Sequence, residues 1–178
     1  LSGFKAVIAW LTSSELVEFL NTNAMWRFYA IVALFLTFVF MNVPRVDFFL
    51  CAVLFLLVFI SIFYFDDAAL LKRLLAFYLG GSLIMLLFFV TGMAARLSAA
   101  VPYAADGLTL VFIVAYGVYA HRRVAENDAL RKKYRLTLIL AIVAPFLIGS
   151  IFKFLLLVPM PTEGMVALAL DAVWYSVF

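Results

Sequence analysis

The chain holds a single histidine, His121, and a single cysteine, Cys51. One cysteine permits no internal disulfide and no cysteine-based metal site. One histidine rules out bis-histidine haem ligation, and the two residues together leave zinc short of its usual partners. The spacings HExxH, GxSxG and GxGxxG are missing, as is a P-loop. Asp66 and Asp67 are the only adjacent acids, and the further oxygen ligands that a divalent cation gathers are not near them in sequence. Asp47, in MNVPRVD beside Arg45, would suit a general base on a lipid-linked substrate if it faced outward, but nothing else in that stretch supports the role. We therefore expect no enzyme, no cofactor and no metal.

Charge is equally scarce. Only 13% of residues are charged, 69% are hydrophobic, and the mean hydropathy is +1.19. A soluble domain carries about a quarter charged residues. A fold of 178 residues leaves much of its surface outside the core, so this much hydrocarbon has nowhere to hide in water. The surplus faces lipid, and the fold class is an all-α polytopic membrane bundle. The net charge of +3 is not a nucleic-acid signature, because the basic residues sit in short gaps between apolar runs.

A helix needs about 20 apolar residues to cross the roughly 30 Å hydrocarbon layer. Five runs qualify: Trp26–Val43, Val46–Phe65, Leu74–Leu97, Ala104–Ala120 and Leu136–Val158. A sixth runs from Met165 to Phe178, and its 14 residues rise only about 21 Å. We expect that helix to be cut short at residue 178. The chain thus divides into an N-terminal segment, 1–24, and a transmembrane domain, 25–178. Leu1 in place of an initiator methionine points to a longer or processed chain, and LSGFKAVIAWL resembles a signal peptide only faintly. Within the N-terminal segment Thr12 and Glu15 have the capping-box spacing. Leu16, Val17, Phe19 and Leu20 oppose Glu15 and Glu18. That pattern predicts an amphipathic helix lying in the membrane interface.

Orientation follows from the basic residues, which stay on the cytoplasmic side. With the N-terminus inside, Lys5, Arg27, Lys72, Arg73, Arg122, Arg123, Arg131, Lys132, Lys133 and Arg135 are cytoplasmic. Only Arg45, Arg96 and Lys153 fall outside. The simplest location is a bacterial inner membrane. Tight turns at Met41–Asp47 and Pro159–Gly164 predict helical hairpins. No internal repeat relates the two halves.

Ionisable groups inside apolar runs are functional suspects. Asp106, Lys153 and Asp171 are the three here. Lys153 and Asp171 lie at similar depths on helices joined by a short turn, so they can pair. The sharper reading makes the three residues a polar or ion-coupled site. The plainer one has Lys153 reaching outward along its stem and Asp171 securing helix packing. Pro145, with Gly149 and Ser150 a turn later, marks a candidate hinge in the fifth run, although membrane helices accept proline freely. Gly80 and Gly81 supply small residues for close packing. The stretch His121–Arg135 offers Arg122, Arg123, Arg131, Lys132, Lys133 and Arg135 as anionic-lipid contacts, interrupted by Glu126 and Asp128.

These features predict a non-enzymatic membrane subunit of a larger assembly, involved in translocation or conduction. The expected partners are the lipid bilayer and either copies of itself or other membrane subunits, not nucleic acid. A sensor or anchor domain, its last helix leading into a cytoplasmic output domain, is the alternative. A small secondary transporter is the third reading.

Overall fold

The computed structural model describes residues 18–177. Their regular elements are all helical, with no strand among the described residues. Helix α1, Asn23–Leu36, runs on through the wider π-helical turn Thr37–Asn42. Helices α2, Phe48–Tyr64, α3, Ala68–Val90, and the short α4, Met93–Ala100, follow. Then come α5, Ala104–Val124, and α6, Asp128–Ser150, which widens into a second π-helical stretch at Ile151–Leu155. Helix α7, Met165–Val177, ends the described chain. The interfacial segment expected over 1–24, with its capping pair Thr12 and Glu15, lies mostly outside the described residues.

Among the described residues four helices are long and apolar enough to cross a membrane: α1 and α6 with their extensions, α3 and α5. Helices α2 and α7 are apolar but shorter. Polar side chains set several helix starts. Asp67 Oδ1 accepts the N–H groups of Ala69 and Leu70 at 2.8 and 3.0 Å, and Asn127 Oδ1 does the same for Ala129 and Leu130 at 3.0 and 3.2 Å. These caps bring α3 and α6 forward of the expected starts at Leu74 and Leu136, into turns that carry basic residues. The expected single run Leu74–Leu97 is broken at Gly92, whose φ of 71° is left-handed and suits only glycine well. Pro145 does not end its helix: α6 continues unbroken to Ser150.

Helix α2 occupies the centre. It packs on α1, α3, α5, α6 and α7, most extensively on α6, and nine of its residues are buried, among them Phe49, Leu54, Leu57 and Ile62. Lipid is as apolar as leucine, so in a membrane adhesion between such helices comes from close packing rather than from removal of water. Small residues allow that approach. A Cβ on Gly149 would lie 2.6 Å from Phe49 Cε1, and one on Gly81 would lie 2.1 Å from Phe112 Cε2. Ala30, Ala120 and Ala141 are wholly buried. Buried hydroxyls add hydrogen bonds between helices: Thr37 bonds with Tyr78, and the Tyr134 hydroxyl donates to the Gly117 carbonyl at 2.6 Å.

The two ends of the bundle differ in charge. At one end Asp66 lies 3.7 Å from Arg27 and 3.3 Å from Lys133, while Lys72 donates to Asn21 at 3.0 Å. The starts of α1, α3 and α6 therefore share that end with the finish of α2. Gathered at the opposite end are the starts of α2, α5 and α7.

Candidate functional site

Each helix start leaves backbone N–H groups without helical partners and carries the positive end of the helix dipole. Where α2, α5 and α7 begin together, two carboxylates meet that need. Asp47, the residue before α2, is fully buried, and Asp106, in the first turn of α5, is 4% exposed. Asp47 Oδ1 accepts from Phe49 N at 2.8 Å and Leu50 N at 3.4 Å, capping its own helix. Its Oδ2 accepts from Gly164, Val166 and Ala167 at 3.0, 3.1 and 2.9 Å, capping α7 as well. Asp106 fills the remaining gaps. Its Oδ1 accepts from Asp47 N and its Oδ2 from Met165 N, both at 2.8 Å.

All seven partners are donors, which matches the acceptor-only inventory of a carboxylate. Neither acid pairs with a lysine or arginine among the described residues. Backbone amides and helix dipoles do the work that a cation does elsewhere. Thr162 closes the seam: its carbonyl accepts from Phe48 N at 3.2 Å, and its hydroxyl donates to the Val43 carbonyl at 2.8 Å. Only glycine fits at 164, because a Cβ there would lie 2.2 Å from Asp106 Oδ2. The Asp47 carboxylate does not face outward, and the burial that hides it leaves it no open side toward a substrate.

A second cluster binds α6 to α7 on the same side of the bundle. Lys153 Nζ lies 2.8 Å from Glu163 Oε1 and 3.0 Å from Asp171 Oδ2. The Lys153 side chain is 9% exposed, that of Asp171 25% and that of Glu163 46%. Phe154 stacks on Trp174 with ring centres 4.7 Å apart. Lys153 and Asp171 thus meet within one chain, while Asp106 joins Asp47 instead. Glu163 and Gly164 were not singled out from the sequence. The available signal was their position just before an apolar run, where capping residues gather.

Pro145 and Gly149 line an apolar groove of about 470 Å³ together with Ala52, Leu56 and the Val158–Pro161 loop. Among the basic residues of His121–Arg135, three are engaged. Arg131 lies 3.8 Å from Asp128, Lys133 donates to the Tyr64 carbonyl at 3.2 Å as well as pairing with Asp66, and Arg123 sits 5.0 Å over the Tyr119 ring. Arg122, Lys132 and Arg135 make no ion pair or side-chain hydrogen bond among the described residues. No three metal-ligating side chains gather among the described residues. No family model, curated protein or solved structure matches the chain.

Proposed function

We propose that this chain is a non-enzymatic, multi-pass membrane subunit of a larger assembly in translocation or conduction, with any path running between subunits rather than through its own bundle. The observation that carries this reading is where the interior charges go. Asp47, Asp106, Lys153 and Asp171 are all spent on holding helices together within the chain. The outward faces, by contrast, carry large apolar side chains such as Phe40, Val90 and Leu155, which are 70%, 75% and 67% exposed.

Six crossings complete the proposal, with the basic end cytoplasmic. The 17 residues of α2 rise about 25 Å, and the helix runs from the Asp47 end to the Asp66 end. Helix α7 starts beside it at the same end. A bacterial inner membrane fits the bias of basic residues toward one end. The alternative, a sensor or anchor, is favoured by one feature: α7 is clamped at its start by two carboxylates, so a shift at that face would pass along the helix.

Crosslinking in native membranes, followed by mass measurement, tests the assembly. Species at twice the 20.0 kDa chain mass or more are expected. A monomer at every crosslinker length, with no other subunit attached, sinks the proposal.

A further inference from the structure

Between α5 and α6, at the basic end of the bundle, lies an open groove of about 400 Å³. Val114 and Val118 of α5 and Leu138 and Ile142 of α6 line it, with His121 and Arg122 at its mouth. Two features give the groove its chemistry. The first is that its interior offers a guest little to hydrogen-bond. Tyr134 is its main polar side chain there, and the Tyr134 hydroxyl is already committed to the Gly117 carbonyl at 2.6 Å. The second is the state of Arg122. It is exposed at the end of α5 and, unlike Arg123, Arg131 and Lys133, has no partner among the described residues. His121 lies beside it, its ring 5.8 Å from that of Tyr134.

An apolar slot closed by an unpaired guanidinium matches a molecule with a hydrocarbon body and a phosphate at one end. Guanidinium binds phosphate through charge-assisted and often bidentate hydrogen bonds. A lipid without phosphate would leave Arg122 unmatched, a zwitterionic one brings its own ammonium up against the guanidinium, and a soluble phosphate would leave the slot empty. We infer that the α5–α6 groove binds one anionic phospholipid from the leaflet at the basic end, with an acyl chain along the slot and the phosphate on Arg122 beside His121. This narrows the six basic candidates of His121–Arg135 to one principal contact, and it holds whether or not the chain works within an assembly.

The test uses the full chain in nanodiscs of mixed phosphatidylglycerol and phosphatidylcholine, with retained lipid counted by native mass spectrometry. Wild type is expected to retain the anionic lipid preferentially, by about five-fold, the order that one basic side chain supplies at a membrane surface. Arg122→Gln is expected to remove most of that preference. Arg73→Gln deletes the same charge at the same end, on α3 and outside the groove, and is expected to keep it. Val118→Phe, at an exposed wall position, is expected to reduce retention of both lipids. Equal retention of the two lipids by wild type overturns the inference. So does an equal loss in Arg122→Gln and Arg73→Gln, which would mark diffuse surface attraction. Displacement by water-soluble glycerol phosphate at matched concentration overturns it too, because the slot would then contribute nothing.

Discussion

The backbone N–H of Asp47 donates to Oδ1 of Asp106 across 2.8 Å, so the residue that caps two helices is itself held by the carboxylate of a third. The link spans 59 positions of sequence, and Asp47 is also bonded to Ala167, 120 positions from it. Helices α2, α5 and α7 are thereby fastened at one point by groups that water would otherwise satisfy. In a membrane that alternative is distant, and each N–H left unpaired is costly.

Replacing either acid by its amide tests the cage, and the two replacements should differ. An asparagine keeps one acceptor oxygen and turns the other position into a donor. At Asp47 that strands at least two N–H groups, whichever way the amide turns; at Asp106 it strands one. An unsatisfied buried donor costs about 1–3 kcal/mol. Asp47→Asn is expected to destabilise about twice as much as Asp106→Asn, read from denaturant midpoints in detergent. Equal midpoints for the two variants would contradict the bonding described.

Gly164→Ala attacks the same point from the other side. The new Cβ would meet Asp106 Oδ2 at 2.2 Å and Asp47 Cβ at 2.8 Å, so the Asp106 carboxylate must leave Met165 N. The expected loss is at least that of Asp106→Asn, about 1–3 kcal/mol. Because both changes act on the same carboxylate, their effects should not simply add. A double-mutant cycle that returns full additivity would place the damage elsewhere.

Much of the frame was legible in the sequence, for identifiable reasons. Charged residues in oily runs are rare, so Asp106, Lys153 and Asp171 stood out at once, and the short turn at Pro159–Gly164 placed the last two together. The break at Gly92 was hidden because apolar residues continue directly past the glycine, through Met93, Ala94 and Ala95, before the first charge at Arg96. The central place of α2 was hidden too. A phenylalanine facing lipid and one facing α6 look alike in composition, and only the structure shows Phe49 seated against Gly149. Asp47 was visible as a charge beside a turn, but its bond to Gly164 joins residues 117 positions apart, and no local pattern carries that register.

The Lys153 cluster makes a non-additive prediction of its own. Either Glu163→Gln or Asp171→Asn leaves Lys153 with one carboxylate, so each single change is expected to cost about 1 kcal/mol or less. Glu163→Gln should be the milder, since that side chain is half in solvent. The double variant leaves a lysine side chain that is 9% exposed without a carboxylate to balance its charge, and its loss is expected to exceed the sum of the two, reaching about 3 kcal/mol. Unfolding midpoints of the four proteins decide it. Simple additivity would mean that Lys153 finds water or headgroups on its own.

Adjacent glycines on α3 give the last prediction, because their surroundings are opposite. A Cβ on Gly80 meets nothing within 4 Å, whereas one on Gly81 would lie 2.1 Å from Phe112 Cε2 and 2.3 Å from its Cζ. Glycine inside a helix costs up to about 1 kcal/mol relative to alanine, so Gly80→Ala is expected to raise stability by a fraction of that amount. Gly81→Ala gains the same helical preference but must push aside a ring that is 8% exposed and stacked near Tyr78, with centroids 6.0 Å apart. Overpacking of this kind costs about 1–3 kcal/mol. The net change at 81 is therefore expected to be destabilising, with a sign opposite to that at 80. Adding Phe112→Leu to Gly81→Ala should recover part of the loss, because the smaller side chain makes room for the methyl group. If the two alanine variants melt alike, α3 and α5 do not approach as closely as the structure places them.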